Sequence, residues 1–129
     1  MKVTFHLDKL VRGKIPDDMR AKGQQPEVIQ LEGREKTLAK IAKLIEEARE
    51  LDPDSPTYAE ELADVLQIVM ELERDYGSET VEAIRREKLA NKGGFDAGLF
   101  VTKLVLDQSD EWVDYYRQDP EKYPEEKND

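Results

Sequence analysis

Carboxylates are the reactive groups this sequence offers in quantity, and two sets of them are spaced for joint work. Glu46-Glu47-Ala48-Arg49-Glu50 is followed by Glu60-Glu61-Leu62-Ala63-Asp64. Glu47 and Glu50 stand three apart, as do Glu61 and Asp64. On a helix, residues at that spacing lie one turn apart on one side, with Cβ atoms roughly 5–6 Å from each other. Two such pairs on antiparallel neighbours could converge into a cage of carboxylates. Without a cation such a cage is costly, because like charges at close range raise one another's pKa. Oxygen-only ligands suit Mg²⁺, or Mn²⁺, rather than zinc.

Helical phase sharpens this reading. At about 100° per residue, Glu61 falls beside the apolar stripe of its helix, flanked by Tyr58, Val65 and Ile68. An ionised side chain there breaks its own helix's pattern, and such breaks concentrate at functional sites. Asp64 lies at the stripe's edge, Glu47 flanks Leu44 and Leu51, and Glu60 points to solvent. A plainer alternative stands beside it. With 30 acidic residues in 129, E-x-x-E and E-x-x-D pairs arise on any solvated helix face.

Two basic segments could meet a phosphate. Lys9, Arg12 and Lys14 surround Leu10-Val11, and Arg85, Arg86, Lys88 and Lys92, with Asn91 among them, precede Gly93-Gly94. The glycines permit close approach of backbone amides to an anion. Equally, cations near a helix C-terminus oppose its dipole and Gly-Gly is an ordinary helix stop. Other chemistries are removed by composition. There are no cysteines and one histidine, His6, so thiolate zinc sites, cysteine nucleophiles and multi-histidine centres are excluded. Ser55, Ser78 and Ser109 each read as a helix cap, which leaves no serine nucleophile.

The elements that must position these groups are mainly helical. Pro16 opens a short helix to Arg20, and a second helix spans about Arg34 to Leu51, with Leu38, Ile41, Ile45 and Ala48 at three- and four-residue steps. Asp52-Pro53 stops it. Ser55-Pro56 starts a third, marked by Tyr58, Leu62, Val65, Leu66, Val69 and Leu72, which Gly77 ends near Tyr76. Ser78 begins a fourth, to about Asn91. Val28–Leu31 and Leu99–Leu106 are rich in branched residues and read as two strands, expected to pair as a small ribbon beside the helices. Ser109 caps a short turn carrying Trp112, Tyr115 and Tyr116, which read as packing groups for the tail. The charged end from Pro120 to Asp129 is expected to fray.

The bounds are simple. A length of 129 residues suits a single domain. Twenty basic against thirty acidic side chains give a net charge of −10, which argues against nucleic-acid binding for want of a basic surplus. No stretch approaches the roughly 18 apolar residues of a membrane span, and the first residues lack a signal-peptide core. A soluble, cytoplasmic protein is expected.

The sequence resembles the all-α nucleoside triphosphate pyrophosphohydrolases, the MazG-like group that includes phosphoribosyl-ATP pyrophosphohydrolase and the dimeric dUTPases. Three blocks carry the resemblance. E-E-x-x-E followed by E-x-x-D is matched by Glu46, Glu47, Glu50, Glu61 and Asp64; K-L-V-R-D-K-I-P by Lys9 to Pro16; and R-x-E-K with R-G-G-F by Arg85 to Lys88 and Lys92 to Phe95. Gly13 stands where the pattern has Asp, and Lys92 where it has Arg. Lysine keeps the charge but loses bidentate phosphate recognition.

The resemblance runs over about residues 7–106, which it makes the core, with 107–129 as a tail, and it implies an antiparallel helical bundle that hydrolyses a nucleoside triphosphate to the monophosphate and pyrophosphate. Glu47, Glu50, Glu61 and Asp64 would hold Mg²⁺, and Glu46 would orient or deprotonate the attacking water. Lys9, Arg12, Lys14, Arg85, Lys88, Asn91 and Lys92 would meet the phosphates. It also implies a homodimer or homotetramer, to which the width of the apolar stripes also points. Unwanted nucleotides such as dUTP are the leading substrates, phosphoribosyl-ATP the alternative, and a non-catalytic acidic helical interaction protein the reading of a different class.

Overall fold

The computed structural model describes residues 1–126, all of them helix, turn or irregular chain. Five helices follow one another: α1 (Ile15–Ala21), α2 (Gly33–Arg49), α3 (Tyr58–Tyr76), α4 (Ser78–Lys92) and α5 (Trp112–Arg117). The mainly helical expectation holds. The chain divides into two compact units, Met1–Asn91 and Lys92–Asp129. The first holds α1 to α3 and nearly all of α4. No described helix is long and apolar enough to cross a membrane.

In the first unit, α2 and α3 form an antiparallel hairpin. They are the one pair of helices whose backbones approach closely among the described residues; α3 and α4 meet through the Glu73 and Glu82 side chains. Leu, Ala, Lys and Glu, all strong helix formers, fill α2. Arg49 in its last turn opposes the dipole, as Glu60 and Glu61 do in the first turn of α3. Between them Asp52 turns the chain, its Oδ1 accepting from the Asp54 amide at 3.0 Å. Gly77, at φ +139°, ends α3 and donates its amide to Glu73 O at 2.9 Å.

Lys40 fixes the direction of the hairpin. It is the sole fully buried residue described, at 8% exposure. From the first half of α2 its Nζ reaches Asp75 Oδ2 at 2.5 Å and Glu71 Oε1 at 3.6 Å, near the end of α3. The seam is therefore mixed in character. Lys43, Leu44 and Glu47 on α2 and Leu51 just past its end are half-buried, as are Tyr58, Glu61, Val65, Ile68 and Leu72 on α3. Much of the apolar stripe read from the sequence stays outside this seam: Leu38, Ile41, Ile45, Leu62, Leu66 and Val69 are 40–58% exposed.

Two local expectations are corrected. The β ribbon is not formed: Val28–Leu31 and Leu99–Leu106 carry no strand. Leu99, Phe100 and Val101 are 77–89% exposed, so the branched residues have no face to bury, and a two-stranded ribbon alone is marginal. The serines do not cap. Thr57 holds the N-cap position of α3, Ser78 is the first residue of α4, and Asp110, not Ser109, receives the Trp112 amide at 2.8 Å.

The tail is tied down as far as it is described. In the second unit, Arg117 pairs with Glu125 at 2.7 Å, and the Tyr123 ring meets Tyr116 edge-on at 4.9 Å. The Trp112, Tyr115 and Tyr116 rings pack on one another in sequence. Fraying expected for residues 127–129 lies outside the described residues.

Candidate functional site

The hairpin places both carboxylate pairs on the same side of the Lys40–Asp75 pin, toward the α2–α3 connection. Glu46 and Glu47 lie in the last turns of α2, and Glu50 is its C-cap. Glu61 and Asp64 lie in the first turns of α3. Glu47 is the most enclosed of those whose side chains form ion pairs, at 12% side-chain exposure, against 36% for Glu46 and 41% for Asp64. Glu50 is exposed.

Glu61 is the unusual member. Its Oε1 accepts a hydrogen bond from the Thr57 hydroxyl at 3.1 Å. Its Oε2 is shielded from solvent and has no partner. Buried polar atoms are nearly always satisfied, so each exception needs a reason.

Cations surround the cluster. Arg12 donates to Asp64 Oδ1 at 2.5 Å, and Lys9 lies 3.6 Å from Glu46 Oε1. The N-terminal basic segment is thus drawn onto the carboxylates of α2 and α3. Asp8, at φ +45°, takes the left-handed conformation just before Lys9, which aspartate tolerates better than most residues. Lys14 is exposed at the N-cap of α1. Gly13 has nothing within 4 Å of where a Cβ would stand, so the surroundings there leave room for a side chain.

Lys43 was not singled out by the sequence. One turn before Glu46 and Glu47, it bonds both, at 3.4 and 3.2 Å. Burial works against its charge, but the hydrogen bond to Glu47 and the fields of Glu46 and Glu47 outweigh it, so its pKa is raised and it stays an ammonium. Thr57 was missed as well. Both stand at helix-neighbour spacing from a candidate carboxylate, and that spacing was the signal available.

The basic groups of α4 are not brought to the carboxylates. Arg85 turns to Glu82 on its own helix, at 2.9 Å, while Lys88, Asn91 and Lys92 are exposed. Lys92 is the last residue of α4 and the first of the second unit.

Among the described residues, no group of three or more carboxylate or imidazole side chains stands at the distances an ion requires. In kind, the donors fit a hard divalent cation: they are all oxygen, they lie toward the connection of one hairpin, and Glu61 Oε2 lacks a partner. No family model matches the chain, no curated protein is detectably similar to it, and no solved structure matches it.

Proposed function

We propose that the protein is a Mg²⁺-dependent nucleoside triphosphate pyrophosphohydrolase of the all-α type, acting on unwanted nucleotides such as dUTP. The observation that carries the reading is Glu61: an acidic side chain on the inner face of α3 with one oxygen engaged and the other buried without a partner. A buried polar atom left unsatisfied costs about 1–3 kcal/mol. A ligand role gives that atom a purpose that a solvated acidic face does not. The order of the three sequence blocks supports the same family.

In this reading Glu47, Glu50, Glu61 and Asp64 hold Mg²⁺ or Mn²⁺. A cation held there would supply charge neutralisation for the phosphate oxygens. Glu46 accepts a proton from water as the water oxygen bonds to the α-phosphorus. The bond from that phosphorus to the α–β bridging oxygen breaks, and pyrophosphate departs with the electron pair. Lys43 fixes Glu46 and Glu47 through its paired bonds. Arg12 and Lys9 would turn from Asp64 and Glu46 to substrate phosphates, joined by the exposed Lys14. Arg85 acts on Glu73 near the far end of α3, and Lys88 and Asn91 are exposed, so these groups would reach a site from a second copy, in a dimer or tetramer.

Pyrophosphate release from a panel of nucleoside triphosphates, with and without Mg²⁺, tests the proposal. Release from at least one of them that requires the metal is expected. No release from any of them, with phosphoribosyl-ATP in the panel, would leave the acidic interaction protein as the better reading.

A further inference from the structure

We infer that Thr57 is a positioning residue that holds the Glu61 carboxylate with Oε2 presented to the cation; this rests on the metal reading above. Thr57 occupies the N-cap of α3, where a threonine oxygen ordinarily accepts from the backbone amides of the first turn. Here it makes no capping bond. Its hydroxyl is turned to the Glu61 side chain one turn ahead, at 3.1 Å.

The direction of each bond follows from proton counting. An ionised carboxylate only accepts, and a hydroxyl carries one proton. Thr57 must therefore donate to Glu61 Oε1. Its oxygen, 2.9 Å from Ser55 Oγ, then accepts from Ser55. Ser55 Oγ in turn accepts from the Thr57 amide at 3.2 Å. The result is a directed chain, Ser55 to Thr57 to Glu61, built in the connection between Pro53 and Pro56 and the start of α3.

Thr57 also accepts the Glu61 amide on its own carbonyl, at 3.0 Å. One residue thus fixes Glu61 at both backbone and side chain. With Oε1 engaged, the carboxylate cannot swing freely about its terminal torsion. Oε2, the buried atom without a partner, is then the oxygen left to a ligand. Partners that orient a ligating carboxylate belong to the metal site as much as the ligands do.

Titration of the full-length chain with Mn²⁺, reading the free ion by electron paramagnetic resonance, decides this without any substrate. Thr57→Val keeps the shape and removes the hydroxyl; Mn²⁺ affinity is expected to fall by about 10-fold or more, the usual effect of removing an orienting partner. Thr57→Ser keeps the hydroxyl and should stay close to the unsubstituted chain. Thr57 is exposed, so both variants should keep their helical circular dichroism. Affinity unchanged in Thr57→Val, or lost equally in Thr57→Ser, overturns the positioning role while leaving the metal site standing. An unsubstituted chain that shows no saturable Mn²⁺ binding removes the metal reading and this inference with it.

Discussion

A carboxylate oxygen shielded from water and without a partner is stable only if something compensates it, and Glu61 carries such an atom in the middle of an otherwise ordinary helical face. Its neighbours divide the work. Thr57 holds one oxygen, Arg12 holds Asp64, and Lys43 holds Glu46 and Glu47. Replacing Glu61 by Gln keeps size and hydrogen bonding but removes the charge a cation needs. Glu61→Gln should abolish metal-dependent pyrophosphate release while leaving the circular dichroism helical. Retained turnover in that variant would show that Glu61 is not a ligand.

At the scale of elements, the hairpin depends on Lys40. The hydrogen bond from Lys40 holds the Asp75 carboxyl below its ordinary value of 3.8. Glu71 is held below 4.5 first by the hydrogen bond from Gln67 and then, against its own burial, by the charge of Lys40. Native-state values below the ordinary ones mean these groups stabilise the fold fully above about pH 4.5, and that stabilisation is lost as pH falls through the depressed values. Lys40→Met removes the charge that Asp75 and Glu71 share. It should lower the melting temperature at neutral pH by several degrees and make the melting curve less sensitive to pH between about 5 and 3, as followed by circular dichroism. A variant with an unchanged acid profile would show that the pair does not set the pH dependence.

The same scale shows what could be read in advance. Helix α2, α3 and α4 were legible because apolar steps of three and four, Asp52-Pro53 and Gly77 mark them out. The inward phase of Glu61 was legible for the same reason. What periodicity cannot distinguish is which apolar stripe a given contact covers. Leu44 and Leu51 go into the seam, whereas Leu38, Ile41 and Ile45 stay outside. Nor does periodicity show a lysine at the centre of a seam, because the pairing of Lys40 with Asp75 spans 35 residues. The two apolar runs at Val28–Leu31 and Leu99–Leu106 mimic strands in composition. Strand structure needs a partner that composition does not supply.

For the molecule as a whole, the outer face of the hairpin is the outstanding fact. Leu66 and Met70 are 58% and 54% exposed, beside Leu62 and Val69 on α3, with Leu38, Ile41 and Ile45 on α2. No hydrophobic residue described is fully buried. Exposed apolar side chains in such number are of the kind through which proteins associate. The dimer or tetramer proposed above would use this surface. With a net charge of −10 per chain, added salt screens the repulsion between copies and should strengthen the assembly. Leu66→Glu should convert a dimer or tetramer to monomer in sedimentation equilibrium. A chain already monomeric at micromolar concentration would contradict the assembly.

The account turns on whether Glu47, Glu50, Glu61 and Asp64 share a divalent ion. Crystals grown in MnCl₂ and measured for the anomalous signal of manganese address that directly. A peak between the connection-side ends of α2 and α3, within bonding distance of Glu61 Oε2, is the result expected. Those four side chains directed into bulk solvent, with no manganese peak among them, would contradict it.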